Sequence, residues 1–318
     1  MKVFITGGAG FIGSQLADRF LQEGHEVIVY DSFVTGHKNF IAHNRSNPRY
    51  TLIEGDVLNY DLLKKSVAAS DLVCHLQANA DVRGGIHNTR IDLEQNIICT
   101  HNVLEAAREN GVKKILFASS ATVYGDPLLF PTPEDATLVQ TSLYGASKVS
   151  AESLLQAYCE AFGMQSWIFR FVSFLGHRYT HGVVFDFVKK LRADRTQLQI
   201  LGDGNQRKSY LDVEDGVTAM MLALEKATGK INIFNLGNSA YMNVVAVADI
   251  ICNEMGLHDV RYTFTGGNRG WIGDSPFVHL DISKISALGW RPKYTIEESV
   301  RRTVSYLISN EALLNNRA

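Results

Sequence analysis

Tyr144 and Lys148 stand four residues apart in the run Ser142-Leu-Tyr-Gly-Ala-Ser-Lys148. On a helix that spacing puts the two side chains on one face. A phenol ionises near pH 10, and bringing it down by about 3 units takes roughly 4 kcal/mol of preferential stabilisation of the phenolate. A neighbouring ammonium and the cationic ring of a bound cofactor can supply this. Tyr144 then acts as a general acid and base toward a hydroxyl near neutral pH. Upstream, Phe117-Ala-Ser-Ser-Ala-Thr-Val-Tyr-Gly125 closes an apolar strand with hydroxyl side chains. Ser120 is placed there to share the same proton. Tyr-x-x-x-Lys alone is common on helix surfaces, so the serine-bearing strand end and glycine turn carry the weight.

A second chemistry lies near the N-terminus. Directly after an apolar run comes TGGAGFIG, in which Gly8, Gly10 and Gly13 form G-x-G-x-x-G while Gly7, Gly10 and Gly13 form G-x-x-G-x-x-G. Glycines permit the tight turn and let backbone amides approach a pyrophosphate at the positive end of the helix that Phe11 and Ile12 begin. An acid belongs about 20 residues further on, at the end of the second strand. Asp31 stands there. Its carboxylate accepts from both adenosine ribose hydroxyls of NAD and repels the 2′-phosphate of NADP, so NAD is the expected cofactor. Asp56 and Val57, in GDV after the third strand, are placed to meet the adenine.

These residues require a scaffold, and the first half of the chain supplies its pattern. Strand-like runs cover Lys2–Ile5, Glu26–Tyr30, Tyr50–Ile53, Leu72–Leu76, Lys114–Ala118 and Gln165–Phe169. Between the first two, Ile12, Leu16 and Phe20, flanked by Ala17 and Leu21, give an amphipathic helix that Gly24 ends. Further helices are predicted over Leu93–Glu109 and Tyr144–Phe162. The alternation predicts an α/β fold with a doubly wound parallel sheet. From Ser173 onward shorter elements and glycine-rich loops indicate a second, smaller lobe, with a cleft expected between the two.

At 318 residues the chain can bury a large core, and 31 basic against 33 acidic side chains give a formal net charge of −2. That balance offers no electrostatic reason for a nucleic-acid or anionic-membrane partner. No run of about 18 apolar residues and no targeting segment is seen, so a cytoplasmic protein is expected. Cys74, Cys99, Cys159 and Cys252 lie far apart and read as buried reduced thiols, and no metal site is expected.

TGGAGFIG, Asp31, GDV, SSATVYG, YGASK, GDGNQRKSYLDVED and LDISK together resemble an extended short-chain dehydrogenase/reductase of the NAD-dependent nucleotide-sugar epimerase/dehydratase family. The resemblance spans nearly the whole chain. It implies a Rossmann domain over residues 1–172 that also receives roughly 209–237, and a discontinuous substrate-binding lobe over 173–208 and 238–318. It further implies Leu76, Gln77 and Asn96 at the cofactor, a nucleotide-diphosphate sugar as substrate, and a homodimer made through the helices carrying Asn96 and Tyr144.

Family members that dehydrate the sugar carry an acid after the strand-end serine. Here Ala121 and Thr122 stand there, and neither can deliver a proton to a leaving hydroxyl. The motif wording instead resembles UDP-glucose (UDP-galactose) 4-epimerases: Tyr144 with Ser120 takes the proton of the 4-hydroxyl while hydride passes to NAD, and the keto sugar turns before the hydride returns. A dehydratase, a 3,5-epimerase or a decarboxylase on the same scaffold is the competing reading, followed by a non-catalytic NAD-binding module. Arg207, Lys208 and Arg269 are candidates for the diphosphate, Lys208 standing where the family usually has arginine. Arg83 is a candidate sugar contact. Ser173 replaces a family asparagine, while Gln77 and Asn79 replace small or apolar residues near nicotinamide and sugar. Val278 stands where some 4-epimerases carry a tyrosine that crowds a 2-acetamido group, so N-acetylated sugars are expected to be tolerated.

Overall fold

The structure, a computed structural model, describes residues 1–315. Strands run over β1 (Lys2–Thr6), β2 (Glu26–Asp31), β3 (Tyr50–Glu54), β4 (Leu72–His75), β5 (Lys114–Ser120), β6 (Gln165–Phe171), β7 (Ser173–Leu175), β8 (Gln197–Ile200), β9 (Arg207–Lys208), β10 (Tyr210–Asp212), β11 (Ile231–Leu236), β12 (Met242–Asn243), β13 (Arg261–Phe264) and β14 (Phe277–Val278). The longer helices are α1 (Phe11–Gln22), α2 (Tyr60–Val67), α3 (Cys99–Glu109), α4 (Leu143–Phe162), α5 (Val183–Ala193), α6 (Val213–Lys226), α7 (Val244–Glu254) and α8 (Ile296–Ser309).

Seven strands form the main sheet in the order β11-β6-β5-β4-β1-β2-β3. β1 pairs in parallel with both β2 and β4, so the strand order reverses beside β1. In open α/β sheets that reversal opens a crevice at the carboxyl ends of the strands, where ligands bind. The fold is therefore the doubly wound α/β architecture that the alternation predicts. Its core is a continuous cluster in which Phe4, Val73, Ile115, Phe117 and Ile168 of the sheet meet Leu63, Val103, Leu104, Ala151 and Leu155 of the helices.

Local sequence explains the element ends. The Ser142 side chain accepts from the Gly145 amide at 3.0 Å and caps α4, and Gly163, at φ 61°, ends it in the left-handed region. One prediction needs correction. The helix expected over Leu93–Glu109 is not uniform: Thr89–Asp92 is α-helical, Leu93–Ile98 widens into a π-helical turn, and Cys99–Glu109 returns to α. Two buried polar side chains at this point, Asp92 and Asn96, hydrogen-bond each other at 3.2 Å.

The chain forms two compact units. Of the described residues, the first comprises 1–125, 137–170 and 220–234, and the second 126–136, 171–219 and 235–315. The second unit has three small sheets: β7 with β10, β8 with β13, and β9 between β12 and β14.

Candidate active site

The glycine turn lies where β1 meets the reversal of strand order. A Cβ on Gly13 would stand 2.1 Å from the Gly7 carbonyl oxygen, and one on Gly7, at φ 67°, 2.8 Å from the Gln77 amide nitrogen. Only glycine allows the turn to fold this tightly, with the first amides of α1 facing outward. Asp31, at the end of β2, is buried. Its two oxygens accept from the Ala9 and Phe33 amides, each at 2.8 Å. Burial raises its carboxyl above the usual range, while those amides and the charge of His37 oppose the rise. Each oxygen keeps a lone pair for a ribose hydroxyl.

The Leu76 amide bonds the Thr6 carbonyl at 3.2 Å and holds the end of β4 against β1. Gln77 donates to Gln95 at 2.8 Å, and its own amide oxygen is buried without a hydrogen-bond partner. A tight backbone cradle, an acid at the end of β2 and an orphaned acceptor beside the turn fit a dinucleotide with ribose hydroxyl and carboxamide donors. Asp56 forms an Asx turn with the Leu58 amide at 2.9 Å, and Val57 is buried in the core. The Asn96 amide group donates to Asp92 at 3.2 Å and to Ser147 at 2.7 Å, and its oxygen accepts from the Asn79 backbone at 2.9 Å.

β5 and α4 bring the catalytic candidates together. Ser120 Oγ accepts from the Thr122 amide at 3.2 Å and from the Thr122 hydroxyl at 3.0 Å. Its single proton is therefore the one it shares with the Tyr144 phenol, to which it is hydrogen-bonded. Lys148, 3 % exposed, donates to the Ala118 carbonyl at 2.9 Å and lies 5.7 Å from the centre of the Tyr144 ring. Burial lowers its ammonium to about 8, against the Glu152 and Asp92 carboxylates, which raise it.

In the chain alone the phenol is disfavoured as an anion. Burial pushes the Tyr144 phenol well up, Asp92 adds to the rise, and only the Ser120 hydrogen bond opposes them. Ionisation thus calls for positive charge, which Lys148 and the cationic ring of a bound cofactor are expected to supply together. His75 is a satisfied core residue, bonded to Thr6 at 2.8 Å and Thr100 at 3.1 Å, and burial pushes it down to about 3.

The second unit separates two candidates that are adjacent in sequence. Lys208 pairs across β9 with Met242 and Val278, whereas Arg207 pairs with Asn243 and Phe277. Cross-strand partners share a face and successive residues alternate, so Lys208 and Val278 point one way and Arg207 the other. Arg207 lies 4.6 Å from the Phe277 ring centre and 5.6 Å from that of Tyr241. Lys208 contacts the buried Asp274. Arg269 is engaged by Asp126 at 2.6 Å and by the Asp274 carbonyl at 2.5 Å. Ser173 is exposed and opens β7. In the first unit, Arg83 is half-exposed, 3.9 Å from Asp81.

Sequence reasoning passed over Ser119, Asp92, Glu152 and Arg170, all buried around Lys148 or α4. A signal existed for one of them: Glu152 follows Lys148 by four residues, on the face that Tyr144 and Lys148 define. The four cysteines are free and buried. Among the described residues no group of side chains is arranged to hold a metal ion, and no helix is long and apolar enough to cross a membrane.

With a dinucleotide cradle and a Ser-Tyr-Lys set at the carboxyl ends of one doubly wound sheet, the class is that of NAD-using enzymes acting on a carbinol. Residues 3–237 match the NAD dependent epimerase/dehydratase family, and the chain belongs to it. A putative UDP-glucose 4-epimerase of Methanocaldococcus jannaschii is 32 % identical, over 97 % of this chain and 99 % of that one. A solved UDP-galactose 4-epimerase is 35 % identical with a TM-score of 0.87, covering 98 % of this chain and 99 % of its own. The UDP-glucuronic acid 4-epimerase of Bacillus cereus, solved with UDP-glucuronic acid and NAD, is 26 % identical with a TM-score of 0.90, covering 98 % and 100 %.

Proposed function

We propose that the chain is an NAD-dependent 4-epimerase of a UDP-hexose, glucose and galactose foremost, with N-acetylated and uronic sugars within its range. The observation that carries the reading is the Tyr144-Ser120 pair beside Lys148, followed by Ala121 and Thr122 where a dehydratase needs an acid. Bound NAD supplies the acceptor that takes a hydride from carbon 4 and gives it back. Tyr144 removes the proton of the 4-hydroxyl and later returns it, Ser120 donates to the same oxygen, and Thr122 keeps Ser120 pointed there. Lys148 favours the ionised phenol by its charge. Gly7, Gly10, Phe11, Ile12, Gly13, Asp31, Leu76, Gln77 and Asn96 form the cofactor side, with Asp56 and Val57 at the adenine.

For the substrate, Lys208 is the better diphosphate ligand of the adjacent pair, because it shares a face with Val278, the residue assigned to the sugar. Arg83, Ser173 and Arg269 complete the candidate set, and Arg207 ranks last. Exposed Leu93, Ile98 and Phe162 on the helices around Asn96 and Tyr144 support a homodimer through that face. Free buried cysteines favour a reducing, cytoplasmic setting.

The test is epimerisation of UDP-glucose in deuterated water. Return of the abstracted hydride leaves the ring carbons free of solvent deuterium. Deuterium at carbon 5, or release of carbon dioxide from UDP-glucuronic acid, would replace 4-epimerisation by dehydration, 3,5-epimerisation or decarboxylation.

A further inference from the structure

Helix α4 grips the end of β5 at three successive turns. Tyr144 bonds Ser120, Lys148 donates to the Ala118 carbonyl at 2.9 Å, and Glu152 accepts from the Ser119 hydroxyl at 2.5 Å. Three residues spaced by four thus meet three consecutive strand residues. The last contact does not touch the reacting centre, yet it is the most heavily built. Glu152 is 1 % exposed and Arg170 3 %. Arg170, from β6, clasps the Glu152 carboxylate with two bonds, Nε to Oε1 at 3.1 Å and Nη2 to Oε2 at 2.7 Å. Its remaining nitrogen donates to the Tyr124 hydroxyl at 2.9 Å, in the turn that follows Ser120. A helix packed by apolar contacts alone does not need a buried ion pair, and such pairs are weak sources of net stability. What the pair does supply is a fixed register and a fixed charge one helical turn beyond Lys148.

We infer that Glu152, held by Arg170, is a positioning residue of the Tyr144-Lys148 site: it locks α4 on β5 so that Tyr144 meets Ser120, and its carboxylate keeps Lys148 charged. The inference rests on the proposed role of Lys148 for its catalytic consequence, but not for its electrostatic one. The groups facing Lys148 are Glu152 and Tyr144 on its own helix, Asp92 from the segment before the π-helical turn, and His75 on β4, with Arg170 on β6 behind Glu152. Asp92 and Glu152 are the two negative members, and only Glu152 carries its own counter-ion. Loss of the Glu152 charge leaves Asp92 alone against desolvation of the ammonium, so Lys148 releases its proton at lower pH.

The deciding measurement is an NMR titration of Lys148 in protein labelled with 13C-lysine, the signal assigned by its disappearance in Lys148→Arg. In the unsubstituted chain the midpoint is expected near about 8. In Glu152→Gln, which keeps the shape and the acceptor for Ser119, it is expected to fall by about one pH unit. Should Glu152→Gln fail to fold with Arg170 left unpaired, the double variant Glu152→Gln/Arg170→Met removes both charges, and a smaller downward shift is expected. An unchanged midpoint in a folded variant overturns the inference. With activity as a second readout, kcat on UDP-glucose in Glu152→Gln should decline above neutral pH at a lower pH than in the unsubstituted chain, with KM little altered. A uniform loss at every pH would leave Glu152 purely structural and overturn the inference too. If the chain epimerises nothing, the proposed function falls while the titration still decides the role of Glu152.

Discussion

The two ends of the proposed reaction are built differently. Around Tyr144 the groups are buried, tied to strand ends and mutually bonded: Lys148 to Ala118, Ser119 to Glu152, Asn96 to Ser147. Around Lys208, Arg207 and Lys208 share a two-residue strand, Arg269 lies in a loop, and each candidate cation has its own arrangement, Lys208 on Asp274, Arg269 on Asp126, Arg207 on aromatic rings. Proton and hydride chemistry needs groups held to fractions of an ångström, which burial and second-layer hydrogen bonds provide. Sugar choice rests on the side chains that one face presents, and on short paired strands the register decides which residues those are.

The contrast is tested most severely at Tyr144. Tyr144→Phe keeps the ring and removes the proton carrier, so kcat is expected to fall by on the order of 10²–10⁴ with NAD binding retained. A coupled assay on UDP-galactose reads the first, and co-purified NAD the second. A variant within twofold of the unsubstituted chain breaks the assignment of chemistry to the first unit.

Next in size is the Lys208-Arg207 pair, where sequence proximity and geometry disagree. Loss of a hydrogen bond to a charged group is worth about 1.5–3 kcal/mol, so Lys208→Met is expected to raise KM for UDP-sugars roughly tenfold to a hundredfold, with kcat less affected. Arg207→Met, on the opposite face, should change KM by less than about fivefold, the range of an exposed cation. The reverse order would mean that the face carrying Phe277 and Tyr241 receives the diphosphate.

An effect of comparable size is expected at Val278, on the Lys208 face. Val278→Tyr fills space beside the sugar, and a steric contact of that kind discriminates by about tenfold to a few hundredfold. Turnover of UDP-N-acetylglucosamine should fall relative to that of UDP-glucose. Equal loss for both sugars would show that this face does not meet the 2-position.

What the sequence disclosed follows the same division. Strands β1 to β6 and helices α1 and α4 were legible because each carries a local period and a local stop, such as Ser142 before α4 and Gly163 after it. The glycine turn was legible because backbone approach demands glycine at fixed spacing. The π-helical turn was not, since nothing local in Leu93–Ile98 marks it off from an α-helical turn. The divergence of Arg207 and Lys208 required the register of β9 against β12 and β14, which is a tertiary fact. Arg170, just past the strand-like run Gln165–Phe169, carried no signal because its partner lies on a helix 18 positions earlier.

The last expected effect is one of stability and concerns what burial costs the first unit. His75 is 2 % exposed at the end of β4, and burial, with the Lys148 charge adding to it, lowers its imidazole from 6.5 to about 3. The folded chain therefore holds His75 neutral where the unfolded chain binds a proton. Above about pH 6.5 both states are neutral and the group contributes no pH dependence. As pH falls from about 6.5 toward 3, the unfolded state gains one proton that the folded state lacks, and stability declines by up to about 1.4 kcal/mol per pH unit from this group. Carboxylates add slopes of their own, so the comparison is with His75→Gln, which keeps hydrogen-bonding capacity toward Thr6 and Thr100 without the titration. Urea denaturation between pH 7 and 4.5 should show a steeper loss in the unsubstituted chain, by close to one proton. Parallel slopes would mean that His75 reaches solvent, and that the strand end beneath the proposed nicotinamide site is less closed than its hydrogen bonds make it.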